Sequence, residues 1–286
     1  MQSNKSTYLK VKDHSVTGEE FQLLHNKDLD MLETYPRPMG EKLSDYYKSE
    51  NYISHTDTKR NLLELIYHSV RQIALKRKLK LINSFNTESK SLLDIGCGTG
   101  DFLETALSAN WNITGIEPNK SAREIANSKT GNSVFEMKYL EKLQPKSFDV
   151  ITLWHVLEHL PDLEMHIALF KAHLKPNGTL VIAVPNFKSY DAAHYKNFWA
   201  AYDVPRHLWH FSRTSIIKLF KKENLKLVKT LPMIFDAYYV SLLSEKYKSG
   251  FMNPFKAFWI GFRSNRKAKK SQEYSSRTYI LKSDNS

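Results

Sequence analysis

One twelve-residue stretch, LLDIGCGTGDFL at 92–103, restricts what this chain can fold into more than any other. An apolar run with the composition of a buried strand leads into three glycines at alternate positions, and an amphipathic run follows. Glycine lets backbone approach a ligand closely or take a positive φ, so Gly96, Gly98 and Gly100 mark a tight strand-to-helix turn. Asp94 places a carboxylate just before the turn, Cys97 lies between its first two glycines, and Asp101 follows it. Turns of this kind stand at the carboxyl ends of parallel strands, where open α/β sheets bind nucleotides.

The rest of the chain supports such a sheet. From residue 91 onward, short apolar runs alternate with amphipathic ones, the pattern of parallel strands covered by helices. Strands are expected at 91–96, 112–117, 133–137, 148–154 and 179–184, with helices at 101–109, 120–128 and 162–173 between them. A strand buried on both faces reads as a continuous apolar run, as LVIAV does. A helix near 214–223, opened by Ser212 as its cap, and two final strands at 225–231 and 276–281 complete the series. The segment 236–274 is too long for a hairpin turn, and is expected to form an insertion with helical pieces over one end of the sheet.

The first ninety residues lack this rhythm. TYPRP at 34–38 reads as a turn or extended piece, because each proline restricts itself and the residue before it. Residues 61–80 read as a helix, with Leu62, Leu63, Leu65, Ile66, Val70, Ile73 and Leu75 on its apolar face. Residues 1–90 are therefore expected to form a helical cap on a main domain of 91–286.

Composition narrows the setting. A single cysteine among 286 residues excludes a disulfide framework and a cysteine-rich zinc site. The polar amino-terminal stretch contains no signal-peptide core, and no apolar run approaches the roughly 20 residues needed to cross a bilayer. A cytoplasmic protein is expected. The net charge of +12 draws anionic partners without specifying a fold. One basic cluster, Lys76, Arg77, Lys78 and Lys80, reads as solvated surface. Another, Arg263 to Lys270, adjoins an aromatic stretch.

The glycine turn differs from the dinucleotide fingerprint. That fingerprint is G-x-G-x-x-G, with a pyrophosphate received on the helix amino terminus. Here the spacing is G-x-G-x-G and Asp101 follows, whose charge opposes a pyrophosphate but suits a cofactor with a sulfonium and an ammonium. Glu117, at the end of the next strand in ITGIEPN, is placed to accept hydrogen bonds from ribose hydroxyls. Taken in order, Asp94 with Gly96, Gly98 and Gly100, then Glu117, then FDVITLWHVLEHL and LKPNGTLVIAVPN resemble the motifs of class I S-adenosyl-L-methionine (SAM)-dependent methyltransferases. The resemblance covers about 90–226. It implies a Rossmann-like α/β fold: a seven-stranded, mostly parallel sheet with helices on both faces and an antiparallel last strand. It also implies SAM as the cofactor. The glycine turn with Cys97 would hold its methionine part, and Glu117 with Pro118 its ribose. The adenine would lie near Lys138, Tyr139 and Leu140, where the family's usual acid is missing. Trp154 and His155 would line the pocket after the fourth strand.

Methyl transfer requires an aligned acceptor and, for a hydroxyl, a base. Two clusters offer one. HVLEHL, with His155, Glu158 and His159, resembles the ubiquinone-pathway O-methyltransferases, in which a similar segment can carry a divalent metal through acids and a histidine. His155 stands where an acid would be, so no metal is expected. The second cluster, FWAAYDVPRHLWHFS at 198–212, supplies His207 as the preferred base, with Tyr202 and Arg206 as orienting groups. Tyr46, Tyr47, Tyr52 and His55 have the mix of a lid. The expected function is methylation of a small-molecule acceptor, most readily on oxygen. The +12 charge keeps RNA or protein methylation as an alternative. Phe255, Phe258, Trp259, Ile260 and Phe262 among basic residues within 251–270 have the character of a membrane-surface segment, which would favour a lipid-like acceptor. They also suit a helix packed on the sheet or a dimer contact.

Overall fold

The computed structural model describes residues 5–38, 46 and 62–283. It opens with an antiparallel meander of β1 (Lys5–Lys12), β2 (Glu20–Asn26) and β3 (Met31–Tyr35). Three strands thus precede the helix of the expected helical cap. Phe21 and Leu23 of β2 alternate into the interior, a period-two pattern carried by too few residues to stand out in the sequence. The β1–β2 turn is tied by Asp13, whose carboxylate accepts the amides of Ser15, Val16 and Thr17. Tyr47, Tyr52 and His55 of the expected lid lie outside the described residues. Tyr46 donates its hydroxyl to Glu19 at 2.6 Å.

Helix α1 (Leu62–Asn83) follows. Leu75, Leu79 and Ile82 pack it against Phe102 and Trp111, whereas Ile73 faces solvent. The chain then alternates through β4 (Ser91–Ile95), α2 (Asp101–Leu107), β5 (Asn112–Ile116), α3 (Lys120–Thr130), β6 (Val134–Phe135), β7 (Phe148–Trp154), α4 (Leu163–His173) and β8 (Leu174–Pro185). Local chemistry sets the helix ends. Asn119 caps α3 by accepting the amide of Ala122, and Gly131 at φ +63° closes it. Beyond β8 come α5 (Tyr190–Tyr195), β9 (Trp209–His210), α6 (Arg213–Lys221), β10 (Leu225–Pro232), α7 (Asp236–Ser249), α8 (Pro254–Ser271) and β11 (Ser276–Ser283). A reciprocal capping box of Ser212 and Ser215 opens α6.

The main sheet has seven strands in the order β10-β11-β8-β7-β4-β5-β6. β11 runs antiparallel to both β10 and β8, as the antiparallel last strand was expected to do, and the other pairs are parallel. Leu93, Ile95, Ile151, Leu153, Leu180 and Ile182 form the centre of its core. The amino-terminal meander is joined to this domain by β9, whose His210 and Trp209 pair with Leu32 and Glu33 of β3. The histidine-bearing segment 198–212 is therefore pinned between the two sheets.

A buried carboxyl group fixes that arrangement. Asp191 of α5, fully buried, accepts hydrogen bonds from Trp199 Nε1 at 2.8 Å, Ser264 Oγ at 2.6 Å and Ser275 Oγ at 2.7 Å. One side chain thus joins α5, the aromatic loop, α8 and the entry to β11. Asp191→Ala leaves three buried donors unpaired, and should lower unfolding free energy in urea by about 3 kcal/mol or more. A loss below about 1 kcal/mol would show the hub to be dispensable.

Candidate cofactor and acceptor site

β4 delivers the chain to the glycine turn. Gly96 has φ +66°, and a Cβ there would lie 2.4 Å from Val156 Cγ2, so both backbone and space demand glycine. At Gly98, φ is +56° and a Cβ would meet nothing within 4 Å. The turn presents open space there. Glu117 closes the turn from β5: its Oε2 accepts the Gly98 amide at 2.9 Å and its Oε1 the Asn119 amide at 2.8 Å. A carboxylate has about four acceptor positions, so roughly two remain for hydroxyl donors. Burial raises the pKa of this carboxyl above its ordinary value.

Asp94 is 2% exposed and accepts Thr152 Oγ1 at 2.5 Å. Burial pushes its pKa up to about 7, with the Thr152 hydrogen bond opposing. Lys78 was expected at the solvated surface, but it turns inward. Its ammonium lies 4.3 Å from the Trp154 ring centroid, within the fields of Asp94, Asp236 and Asp101, and burial pushes its pKa down to about 8. The legible sign was its place one residue from Leu79 on the buried face of α1. Asp101 does not face a ligand alone: it is ion-paired with Arg71 and, at 2.7 Å, with Lys129.

The other candidates for the cofactor are placed around this turn. Cys97 is partly buried, and burial drives its thiol pKa well up, so it contributes packing and not a thiolate. The Pro118 carbonyl accepts Arg123. Tyr139 stacks on Phe135 with centroids 3.9 Å apart, beside an apolar wall in which Leu140 belongs to the main core. Trp154 Nε1 is buried without an acceptor. Spare lone pairs on Glu117, open space over Gly98 and an orphaned indole N–H fit a nucleoside cofactor at this turn.

His155 follows Trp154 at φ +58°. Its Nδ1 lies 3.5 Å from Glu158 Oε1 and its Nε2 3.2 Å from Asp236 Oδ2. Burial works against its charge, yet the two carboxylates raise its pKa to about 10. It is an imidazolium at neutral pH. Glu158 connects it to the second cluster. Ligand atoms of Glu158, His159 and His207 all lie within 4.8 Å of one another. Burial, then the adjacent His207, lowers the His159 pKa to about 4.

His207 Nδ1 lies 2.9 Å from the Ala201 carbonyl, which can only accept, so Nδ1 carries the proton and Nε2 is the basic nitrogen of the neutral ring. Nε2 is 3.8 Å from Asp203 Oδ2. Arg206 pairs with that Asp203 and donates to Ser15 Oγ at 2.9 Å, joining the loop to the meander. Tyr202 is buried edge-on against Trp199 and His210, so it packs the loop. His210 is also structural: Thr34 Oγ1 donates to the His207 carbonyl at 2.6 Å and lies 3.0 Å from His210 Nε2.

A family model described as a methyltransferase domain matches residues 67–230. The chain belongs to that family, and its cofactor is S-adenosylmethionine. Among curated relatives, the ubiquinone biosynthesis O-methyltransferase of Rickettsia felis is 33% identical over 129 residues, 42% of this chain and 52% of that protein. The protein of the same name from Rickettsia conorii is 28% identical over 187 residues, 58% of this chain and 62% of that one. The chain spans about half the length of the curated relatives it matches. Among solved structures, the magnesium protoporphyrin IX methyltransferase of Synechocystis with bound SAH aligns at TM-score 0.55 and 14% identity, covering 83% of this chain and 96% of that chain. A SAM-dependent methyltransferase of Archaeoglobus fulgidus aligns at 0.52 and 20%, covering 78% and 100%. At these identities, the alignments establish the fold.

The Asp94 shift gives a signed prediction. Its folded pKa lies above the ordinary value, so it favours the unliganded fold at low pH and that benefit is lost as pH rises through about 7. A cationic ligand prefers the ionised carboxylate. S-Adenosylhomocysteine, which carries an ammonium, should therefore bind roughly threefold to tenfold tighter as pH rises from about 6 to 8. Titration calorimetry on Asp94→Asn should show this rise abolished below pH 7.5 or so. Above that, deprotonation of Lys78 near 8 acts in the same direction.

Proposed function

We propose that this protein transfers the methyl group of SAM to a hydroxyl oxygen of a small-molecule acceptor, with His207 as the base. The observation that carries the reading is the Nδ1–H hydrogen bond of His207 to the Ala201 carbonyl, which leaves Nε2 as proton acceptor in the cluster with Glu158 and His159. When bound, SAM supplies a methyl group activated on a sulfonium. Glu117 orients the ribose through its remaining lone pairs, and the turn at Gly98 admits the methionine part. His207 Nε2 would take the proton of the acceptor hydroxyl as the methyl group passes to its oxygen and S-adenosylhomocysteine is left. Asp203, 3.8 Å from that nitrogen, stabilises the imidazolium that results. Likeness to proteins named ubiquinone biosynthesis O-methyltransferase supports phenolic or quinol-like acceptors as the first class to assay.

His155 is the cation beside Glu158. Held between Glu158 and Asp236, it orients Glu158 and meets negative charge on an acceptor. Glu158, His159 and His207 would hold a divalent cation if one bound, and such an ion would polarise the acceptor oxygen as a Lewis acid. We propose that none is required, because His155 already supplies positive charge to Glu158.

The test is transfer of labelled methyl from SAM to a panel of phenols, catechols and quinols. With an accepted substrate, His207→Gln should lower kcat by about 10²–10⁴-fold while leaving S-adenosylhomocysteine affinity unchanged. An unchanged kcat would remove His207 as base. Chelator treatment should leave the rate intact. A rate that collapses and returns with added Mg²⁺ would assign His207 to a metal instead.

A further inference from the structure

The helical hairpin of α7 and α8, inserted between the last two strands, is turned inside out for a solvent-facing pair. Ala257, Gly261, Ser264 and Ala268 of α8 face inward. A Cβ on Gly261 would lie 2.7 Å from Tyr238 Cδ1 and 3.0 Å from the Ala237 carbonyl, so the two helices approach as closely as glycine permits. The large side chains point the other way: Phe255 is 87% exposed, Phe258 62% and Trp259 56%, with Phe262 beside them. The hairpin tip adds Phe251, 61% exposed, and Met252. These exposed rings recur at i, i+3, i+4 and i+7, one stripe along the helix, and Arg266, Lys269 and Lys270 continue it.

Charge identifies what covers the stripe. Between 246 and 271 there are eight basic residues and no acidic one. Glu245, which precedes this run, is buried and bound by Tyr195 Oη at 3.0 Å and Lys256 Nζ at 3.1 Å. A second copy of this face would bring like charges together, whereas an anionic lipid surface complements them. No helix among the described residues is long and apolar enough to cross a membrane. A helix with aromatics at one end of a stripe and Arg and Lys at the other lies in an interface plane, its rings about 5–10 Å deep. We propose that the α7–α8 hairpin docks this protein on anionic membrane surfaces through Phe251, Phe255, Phe258, Trp259 and Phe262, with Arg266, Lys269 and Lys270 at the headgroups. This holds whatever the acceptor is.

The experiment is co-sedimentation of the full chain with vesicles of equimolar phosphatidylglycerol and phosphatidylcholine, against phosphatidylcholine alone. Binding should require the anionic lipid and weaken with salt. The doubly substituted variant Phe255→Ser/Trp259→Ser should partition at least about tenfold less. Arg266→Glu/Lys269→Glu/Lys270→Glu should lose on the order of a hundredfold, from about 1 kcal/mol for each basic residue. Both variants should keep the parent's melting temperature and S-adenosylhomocysteine affinity, since these side chains project away from the core. No sedimentation with anionic vesicles, or equal sedimentation of parent and serine variant, would overturn the proposal. So would a parent that is dimeric in solution without lipid and becomes monomeric in the serine variant, because the stripe would then be a subunit interface.

Discussion

The arrangement of this protein around its site depends on one buried carboxyl group. A parallel sheet positions the strand ends on its own, but it does not determine how a long insertion and an aromatic loop sit over them. Asp191 does so by collecting an indole N–H and two serine hydroxyls from three separate stretches of chain. In a low-dielectric interior, each of those donors would be costly to leave unpaired, so the three stretches have one mutually satisfied arrangement. The loop that presents His207 and the hairpin that carries the exposed aromatics are consequently oriented relative to each other by the same side chain.

Around the site, charge is arranged in alternation. Asp94, Lys78, Asp236, His155 and Glu158 form a run of acids and bases from the glycine turn to the histidine loop. Burial pushes the Asp94 pKa up and the Lys78 pKa down, while the carboxylates of Asp236 and Glu158 hold His155 charged. Such a run offers a carboxyl to a cationic cofactor at the Asp94 end and brings Glu158 beside His159 and His207 at the other.

Much of this was legible in the sequence, and the limits have physical causes. The strands that read well, Leu92–Leu93 and Leu180–Val184 among them, are buried on both faces and need no partner to be recognised. The meander did not read because β2 alternates over only a few residues and the buried run of β3 is short and includes Glu33 and Thr34. Gly96 and Gly98 announced themselves because a positive φ is required where they are, and Glu117 because it is an acid at the end of a strand. Lys78 did not: its role comes from packing α1 against Trp154, a contact across 76 positions of sequence. Tyr202 resembled a site residue, but its ring packs edge-on against Trp199 and His210, which spacing alone cannot distinguish from chemistry.

The place of β11 has a consequence for how the chain comes together during synthesis. β8 and β10 do not touch in the sheet; β11 lies between them and hydrogen-bonds to both. It also follows the α7–α8 hairpin in the chain, so it emerges after every other described element. Until residues 276–283 arrive, β8 has an open edge and β10 has no strand partner. Loop closure across the hairpin must then be completed before either strand is satisfied. A ribosome-bound chain stopped short of Ser276 would leave the apolar strand Leu180 to Val184 paired with β7 alone and open on its other side, which is the kind of edge that chaperones hold and aggregates recruit.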